Sequence, residues 1–145
     1  MHPRLRELAA EAPIRPRGVF LREDDRVLLC GTIGVEFDIW QRRLSALSAA
    51  DALFAQQIGL EAVEREMDAL EAEVRGTLAP EERLLPRRSP GYGDLPIELS
   101  CEIVAKLDAT KRIGVSVNDA GLLLPTKSVT ALCKITTGSG ECDTI

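Results

Sequence analysis

One stretch of this chain, Arg87-Arg88-Ser89-Pro90-Gly91-Tyr92-Gly93-Asp94-Leu95-Pro96, gathers the side chains best suited to hold a small molecule. Prolines and glycines fix its backbone in a non-regular shape, and glycine allows a ligand to approach closely. Such a loop exposes N–H and C=O groups that no neighbouring strand claims. Arginine binds a carboxylate through paired, charge-assisted hydrogen bonds, and tyrosine offers a flat face with a hydroxyl at its edge. Read as a plain connector, the same residues give a rigid link with Tyr92 packed on the core and the arginines in solvent. Little else points to reaction chemistry. The one histidine, His2, lies at the N-terminus, so no Ser-His-Asp arrangement is available. Cys30, Cys101, Cys133 and Cys142 contain no CxxC pair and read as buried or idle thiols. Cys133 and Cys142 together supply at most two ligands to a metal or redox site, which is too few.

The elements around this loop are legible from periodicity. Residues 3–11 open with proline, which suits a first helical turn, and Pro13, Pro16 and Gly18 then break the pattern into an extended lead-in. Arg26 to Ile33 reads as a buried strand. Val35, Ile39, Trp40, Leu44 and Leu47 mark one face of a helix, with Trp40 a core residue. Ser48, with Asp51 three residues on, caps a second helix whose apolar positions run from Leu53 to Val74, with a bend expected at Gly59. Its other face (Glu64, Arg65, Glu66, Asp68, Glu71, Glu73, Arg75) reads as solvated. Gly76 ends it, and Pro80, Pro86 and Pro90 make the next segment extended. A further helix is expected from Pro96 to about Ala109, capped by Asp94. The segment 113–117 reads as a strand, followed by a turn at Asn118-Asp119-Ala120-Gly121 and a second strand at Leu122-Leu123-Leu124. Ser128 to Thr136 gives a final strand, with residues 137–145 a loose tail. Lys127 either meets a phosphate or guards an edge strand, the structural role being favoured. Strands and long helices do not alternate steadily, so the expected class is α+β: long helices packed on a small, mainly antiparallel sheet, in one domain spanning 1–145.

Composition excludes several classes. With 145 residues, 45% hydrophobic and 28% charged, the chain has the size and balance of one globular domain. Its net charge of −5, with basic residues scattered among acids, leaves no footprint for nucleic acid. No apolar run approaches a membrane span, and the N-terminus lacks a signal core, so a cytoplasmic location is expected. No glycine-rich strand-to-helix turn with a downstream acid is present, which argues against a free-standing methyltransferase of dinucleotide-binding type.

The loop, followed by Lys111-Arg112-Ile113-Gly114-Val115-Ser116 and then by Leu124-Pro125-Thr126-Lys127-Ser128-Val129, resembles the reactivation domain of cobalamin-dependent methionine synthase and its small free-standing relatives. These segments match in order and spacing over about the last 50 residues, and Gly31-Thr32-Ile33-Gly34 and the 51–64 helix match more loosely. The resemblance implies an S-adenosylmethionine pocket lined by Arg87, Ser89 and Tyr92, with Arg87 on the ligand's carboxylate and the Pro90-Gly91 backbone close by. It also implies an acidic partner for the sulfonium, Asp94 or Glu64. Gly93-Asp94-Leu95-Pro96 departs from the residues that come after the tyrosine in the full-length enzyme. The implied role is reductive reactivation: a highly reduced corrinoid cobalt lost to oxidation is restored by reduction together with methylation. The cofactor carries that chemistry, so the chain needs no catalytic side chain of its own. The corrinoid-, folate- and homocysteine-binding modules are not in this sequence, so the expected partner is a separate cobalamin-carrying protein. A ligand-free protein that docks on a corrinoid protein is the alternative. The edge of a small sheet also leaves a homodimer open.

Overall fold

A computed structural model describes residues 2–138. The first helix, α1 (Pro3–Glu11), begins at the proline, with His2 Nδ1 accepting from the Arg4 amide. A hairpin comes next, β1 (Arg17–Glu23) and β2 (Arg26–Thr32), closed by a tight turn in which Asp24 takes the left-handed conformation that aspartate tolerates. β1 occupies the region expected to be an extended lead-in. Gly18, read as a breaker, is there for packing, because a Cβ at that position would lie 2.8 Å from a Glu66 carboxylate oxygen and 3.2 Å from Leu70.

Two helices continue the chain, α2 (Val35–Leu47) and α3 (Ala49–Arg75). Ser48 caps α3 by accepting from the Asp51 amide, as its spacing predicts. α3 runs as one 27-residue helix through Gly59. That glycine serves a close crossing: a Cβ there would sit 2.6 Å from the Phe37 ring of α2. The apolar face expected for α2 is only partly inward. Phe37, Trp40 and Leu44 pack on the core, whereas Val35, Ile39 and Leu47 are exposed. Leu53 of α3 is exposed as well.

Beyond Gly76 the chain forms the short β3 (Glu82–Leu84), then the proline-rich loop, then α4 (Leu99–Leu107) and α5 (Ala109–Ile113). α5 takes Ile113 from the strand expected at 113–117, and Gly114 and Val115 follow it unpaired to any strand. Asp108 and Gly114, both in the left-handed region, bracket one helical turn, and Thr110 Oγ1 donates to the Val115 carbonyl to close it. Only β4 (Ser116–Val117) remains extended, and it pairs with β5 (Leu123–Leu124) across the expected Asn118–Gly121 turn. β6 (Ser128–Thr137) ends the described chain.

The main sheet has the antiparallel order β1-β2-β6-β3. Its successive side chains point to opposite faces, and both faces are covered. Val27, Leu29, Ala131 and Cys133 meet Met67, Leu70 and Val74 of α3. Leu28, Cys30 and Leu132 meet Ile103, Val104 and Leu107 of α4. A third cluster, including Leu8, Ile33, Phe37 and Ile58, ties α1 and α2 to the first half of α3. The result is an α+β fold of long helices on a small, curled antiparallel sheet.

Candidate functional site

The loop between β3 and α4 is anchored before it leaves the sheet. Arg88 exchanges both backbone hydrogen bonds with Leu132 of β6, at 2.9 and 2.8 Å. The chain then turns tightly, the Gly91 amide donating to the Leu95 carbonyl at 3.0 Å and the Leu95 amide to the Tyr92 carbonyl at 3.2 Å. Gly91, with φ of 92°, lies so close to Ile97 that a Cβ would come within 2.9 Å of it. Any other residue at this position is strained in backbone and in contact.

This turn roofs a cavity of about 590 Å³, within the range of small-molecule pockets. One wall is α3, through Leu60, Val63 and Glu64, and another is the tip of the β4–β5 hairpin at Leu122 and Leu123. The floor comes from β6 and α4. It carries hydroxyls: Ser100 Oγ lies 3.0 Å from Thr130 Oγ1, and Ser128 Oγ donates to Thr32 Oγ1 at 2.8 Å. The interior is therefore apolar with a hydroxyl-bearing base.

Of the residues expected in a site, Ser89, Pro90 and Tyr92 line the cavity. Tyr92 is 74% exposed at its mouth and is not packed on the core. Gly91 holds the turn. Asp94 is drawn away to an ion pair with Arg88, which holds its carboxyl below the usual range. It does not cap α4, where Glu98 takes the cap position without a side-chain bond. Arg87 departs most from expectation. Its guanidinium donates to Glu64 at 2.5 Å, to Asp68 at 2.9 Å and to Glu71. Burial works against that charge, but the three carboxylates outweigh it and raise the Arg87 pKa above its ordinary value. Arg87 is thus occupied by its own chain and is not among the cavity-lining residues. The three acids sit at i, i+4 and i+7 of α3, on one face of the helix. The supposedly solvated face includes a clamp on the loop. Glu71, only 6% exposed, is also held by Arg75 at 3.1 Å, so three carboxylates share two guanidinium groups beside the cavity.

Lys127 is buried, its ammonium donating to Gln41 of α2 at 3.2 Å and lying 5.8 Å from the centroid of the Phe37 ring. β6, the strand it leads into, is internal to the sheet, so Lys127 guards no edge. Its neighbour Thr126, which lines the cavity, is held at amide and hydroxyl by Asp38, also of α2, at 2.9 and 2.8 Å. The second helix thereby fixes one cavity wall, a role that nothing in its sequence announces. Burial pushes the Cys30 thiol up to about 12 and the Cys133 thiol up to about 11, so neither forms thiolate readily. Cys142 lies outside the described residues. Among the described residues no cluster of three or more His, Cys, Asp or Glu is arranged to hold a metal, and no helix is long and apolar enough to cross a membrane.

No protein-family model matches this chain, and no curated protein does. Among solved structures, the crystal structure of the MetH reactivation domain bound to AdoHcy matches with a TM-score of 0.66 at 20% sequence identity. The two share a fold. The match covers 75% of this chain and 38% of that one, so the chain spans well under half of the solved domain.

Proposed function

We propose that this chain is an accessory module for reductive reactivation of a corrinoid-dependent methyltransferase, binding S-adenosylmethionine in the cavity under the Ser89–Ile97 loop. The observation that carries this reading is the cavity itself. It brings together Ser89, Pro90 and Tyr92 with the Glu64 carboxylate, in a fold shared with a domain solved with AdoHcy. The residues suit such a ligand. The volume accommodates a nucleoside, the apolar walls and the Tyr92 ring take its base, and the hydroxyls of the floor match a ribose. When bound, S-adenosylmethionine supplies an activated methyl group to a corrinoid held by a partner protein. The chain's own residues bind and orient. Glu64 offers negative charge where a sulfonium is favoured, while Arg87 acts as a positioning residue that fixes both Glu64 and the loop. Leu60, Tyr92, Ile97 and Leu122, all exposed at the cavity rim, form an apolar collar for the docking partner.

A second reading, a ligand-free protein that docks on a corrinoid protein, is favoured by one observation: the arginine expected to hold a ligand carboxylate is already satisfied by Glu64, Asp68 and Glu71. Calorimetric titration separates the two. The proposal predicts saturable binding of S-adenosylmethionine, and Glu64→Gln should weaken it about tenfold while weakening S-adenosylhomocysteine, which lacks the sulfonium charge, far less. No heat of binding with either ligand, from a protein shown to be folded, leaves the docking reading in its place.

A further inference from the structure

β1 is one edge of the main sheet. It pairs with β2 over seven residues, from Arg17↔Thr32 to Glu23↔Arg26, without a bulge. Alternate backbone groups of such a strand point away from its neighbour. Among the described residues, no further backbone hydrogen bond engages residues 17–23. The opposite edge is different: β3 has three residues, and the chain beyond it stays on β6 through Leu85 and Arg88. β1 also lacks proline and carries an exposed Leu21. Of the devices that blunt edge strands, β1 lacks short length, proline and a bulge, and keeps only charge, at Arg17, Arg22 and Glu23, which selects for a strand of complementary charge.

We propose that two copies of this chain join through antiparallel pairing of β1 with β1 of the second copy, about a twofold axis that passes at Phe20 and runs perpendicular to the sheet. The strand is self-complementary in that register. Arg17 faces Glu23 of the second copy, Val19 faces Leu21, and Phe20 faces itself. The charge match is specific. Arg17 is exposed, spends one hydrogen bond on the Arg112 carbonyl at 2.7 Å and has no acidic partner among the described residues. Glu23 lies at the other end of the strand, 29% exposed and held by Arg26 and Lys106. Pairing about the axis supplies Arg17 with a carboxylate twice over, and it covers Leu21 with Val19. Gly18 falls opposite Arg22, a side chain already held by Glu82. A slip of two residues in either direction sets Val19 or Leu21 against itself and separates Arg17 from Glu23. A general extended peptide would fit the backbone but would have no reason to match these side chains.

Sedimentation velocity of the full chain over a wide concentration range tests the pairing. The expected result is a concentration-dependent species of twice the 15.8 kDa chain mass. Arg17→Glu, which sets two acids face to face, and Leu21→Lys should each raise the dissociation constant about tenfold or more, with far-ultraviolet circular dichroism unchanged. In a background carrying Cys101→Ser and Cys142→Ser, Phe20→Cys should form a covalent dimer on mild oxidation, because residues facing across such a pair have Cα atoms about 4.5–5.5 Å apart, within disulfide reach. Leu21→Cys in the same background should crosslink poorly, being displaced from its copy. A species of one chain's mass at every concentration overturns the proposal. So does a dimer that neither Arg17→Glu nor Leu21→Lys weakens, since its interface would lie elsewhere.

Discussion

Two side chains next to the cavity do work that their residue types only partly announce. The loop arginine Arg87 suggests a ligand contact by type, yet it is bound by three acids of α3. Deciding between those roles needs knowledge of which way α3 faces, and that is a tertiary fact. Lys127 is similar: its type suggests an exposed charge, but its stem lies across Gly59 and its ammonium is buried against α2. Burial lowers its pKa below the ordinary lysine value, with Asp38 only partly offsetting it. Between the lowered folded pKa and the ordinary value of about 10.5 the unfolded chain binds more protons, so this group's contribution to stability rises with pH across that window. Replacing a buried charge that has no carboxylate bonded to it with an apolar side chain of similar length should help. Lys127→Met is expected to raise stability at neutral pH by about 1 kcal/mol, and the gap to the parent should narrow as pH approaches 10.5. Urea denaturation at both pH values checks this, and a less stable variant with a pH-independent gap would be the contrary outcome.

The elements are largely legible in the sequence, for reasons that differ from one to the next. α1, α2, α3 and β6 are marked by local chemistry: a proline at a first turn, the Ser48 cap, apolar spacing, and a β-branched run. β1 and α5 are not. α5 is closed by left-handed Asp108 and Gly114 and by the Thr110–Val115 bond, in a segment whose residue types suit a strand, and Gly18 of β1 answers over long range to the approach of α3. Gly59 belongs to the same class. Its type suggests a bend, but the helix is continuous and the glycine admits Phe37 and Lys127. Gly59→Ala should therefore destabilise by about 1–3 kcal/mol despite alanine's better helix propensity, because overpacking outweighs the gain of about 1 kcal/mol. Thermal or chemical unfolding reads this directly, and a stabilised variant would show that α2 can move aside. The clamp between the loop and α3 gives a second expectation. Arg87→Ala leaves the buried Glu71 with Arg75 alone and should cost about 2–3 kcal/mol, the more exposed Glu64 and Asp68 adding little.

For the molecule as a whole, the class and layering are readable from the order of elements, and the shared fold with the MetH reactivation domain agrees with the resemblance carried by the loop and the segments after it. The cavity is not readable, because its walls come from α3, the loop, the β4–β5 hairpin and β6, which are distant in sequence. Of its lining, the sequence marks only the loop residues Ser89, Pro90 and Tyr92, with Glu64 as one of two candidate acids. Leu123 of β5, Ser100 of α4 and Thr130 of β6 carry no local signal, since a buried apolar or hydroxyl side chain looks the same whether it faces a cavity or a neighbour. The measurement that tests the account most directly is a chemical-shift titration of the isotopically labelled chain with S-adenosylmethionine. Saturable shifts are expected at Glu64, Ser89, Tyr92, Leu123 and Thr130, with Val35 and Ile39 on the outer face of α2 unmoved. Shifts centred anywhere else, or none at all, would contradict the claim that this cavity is the ligand site.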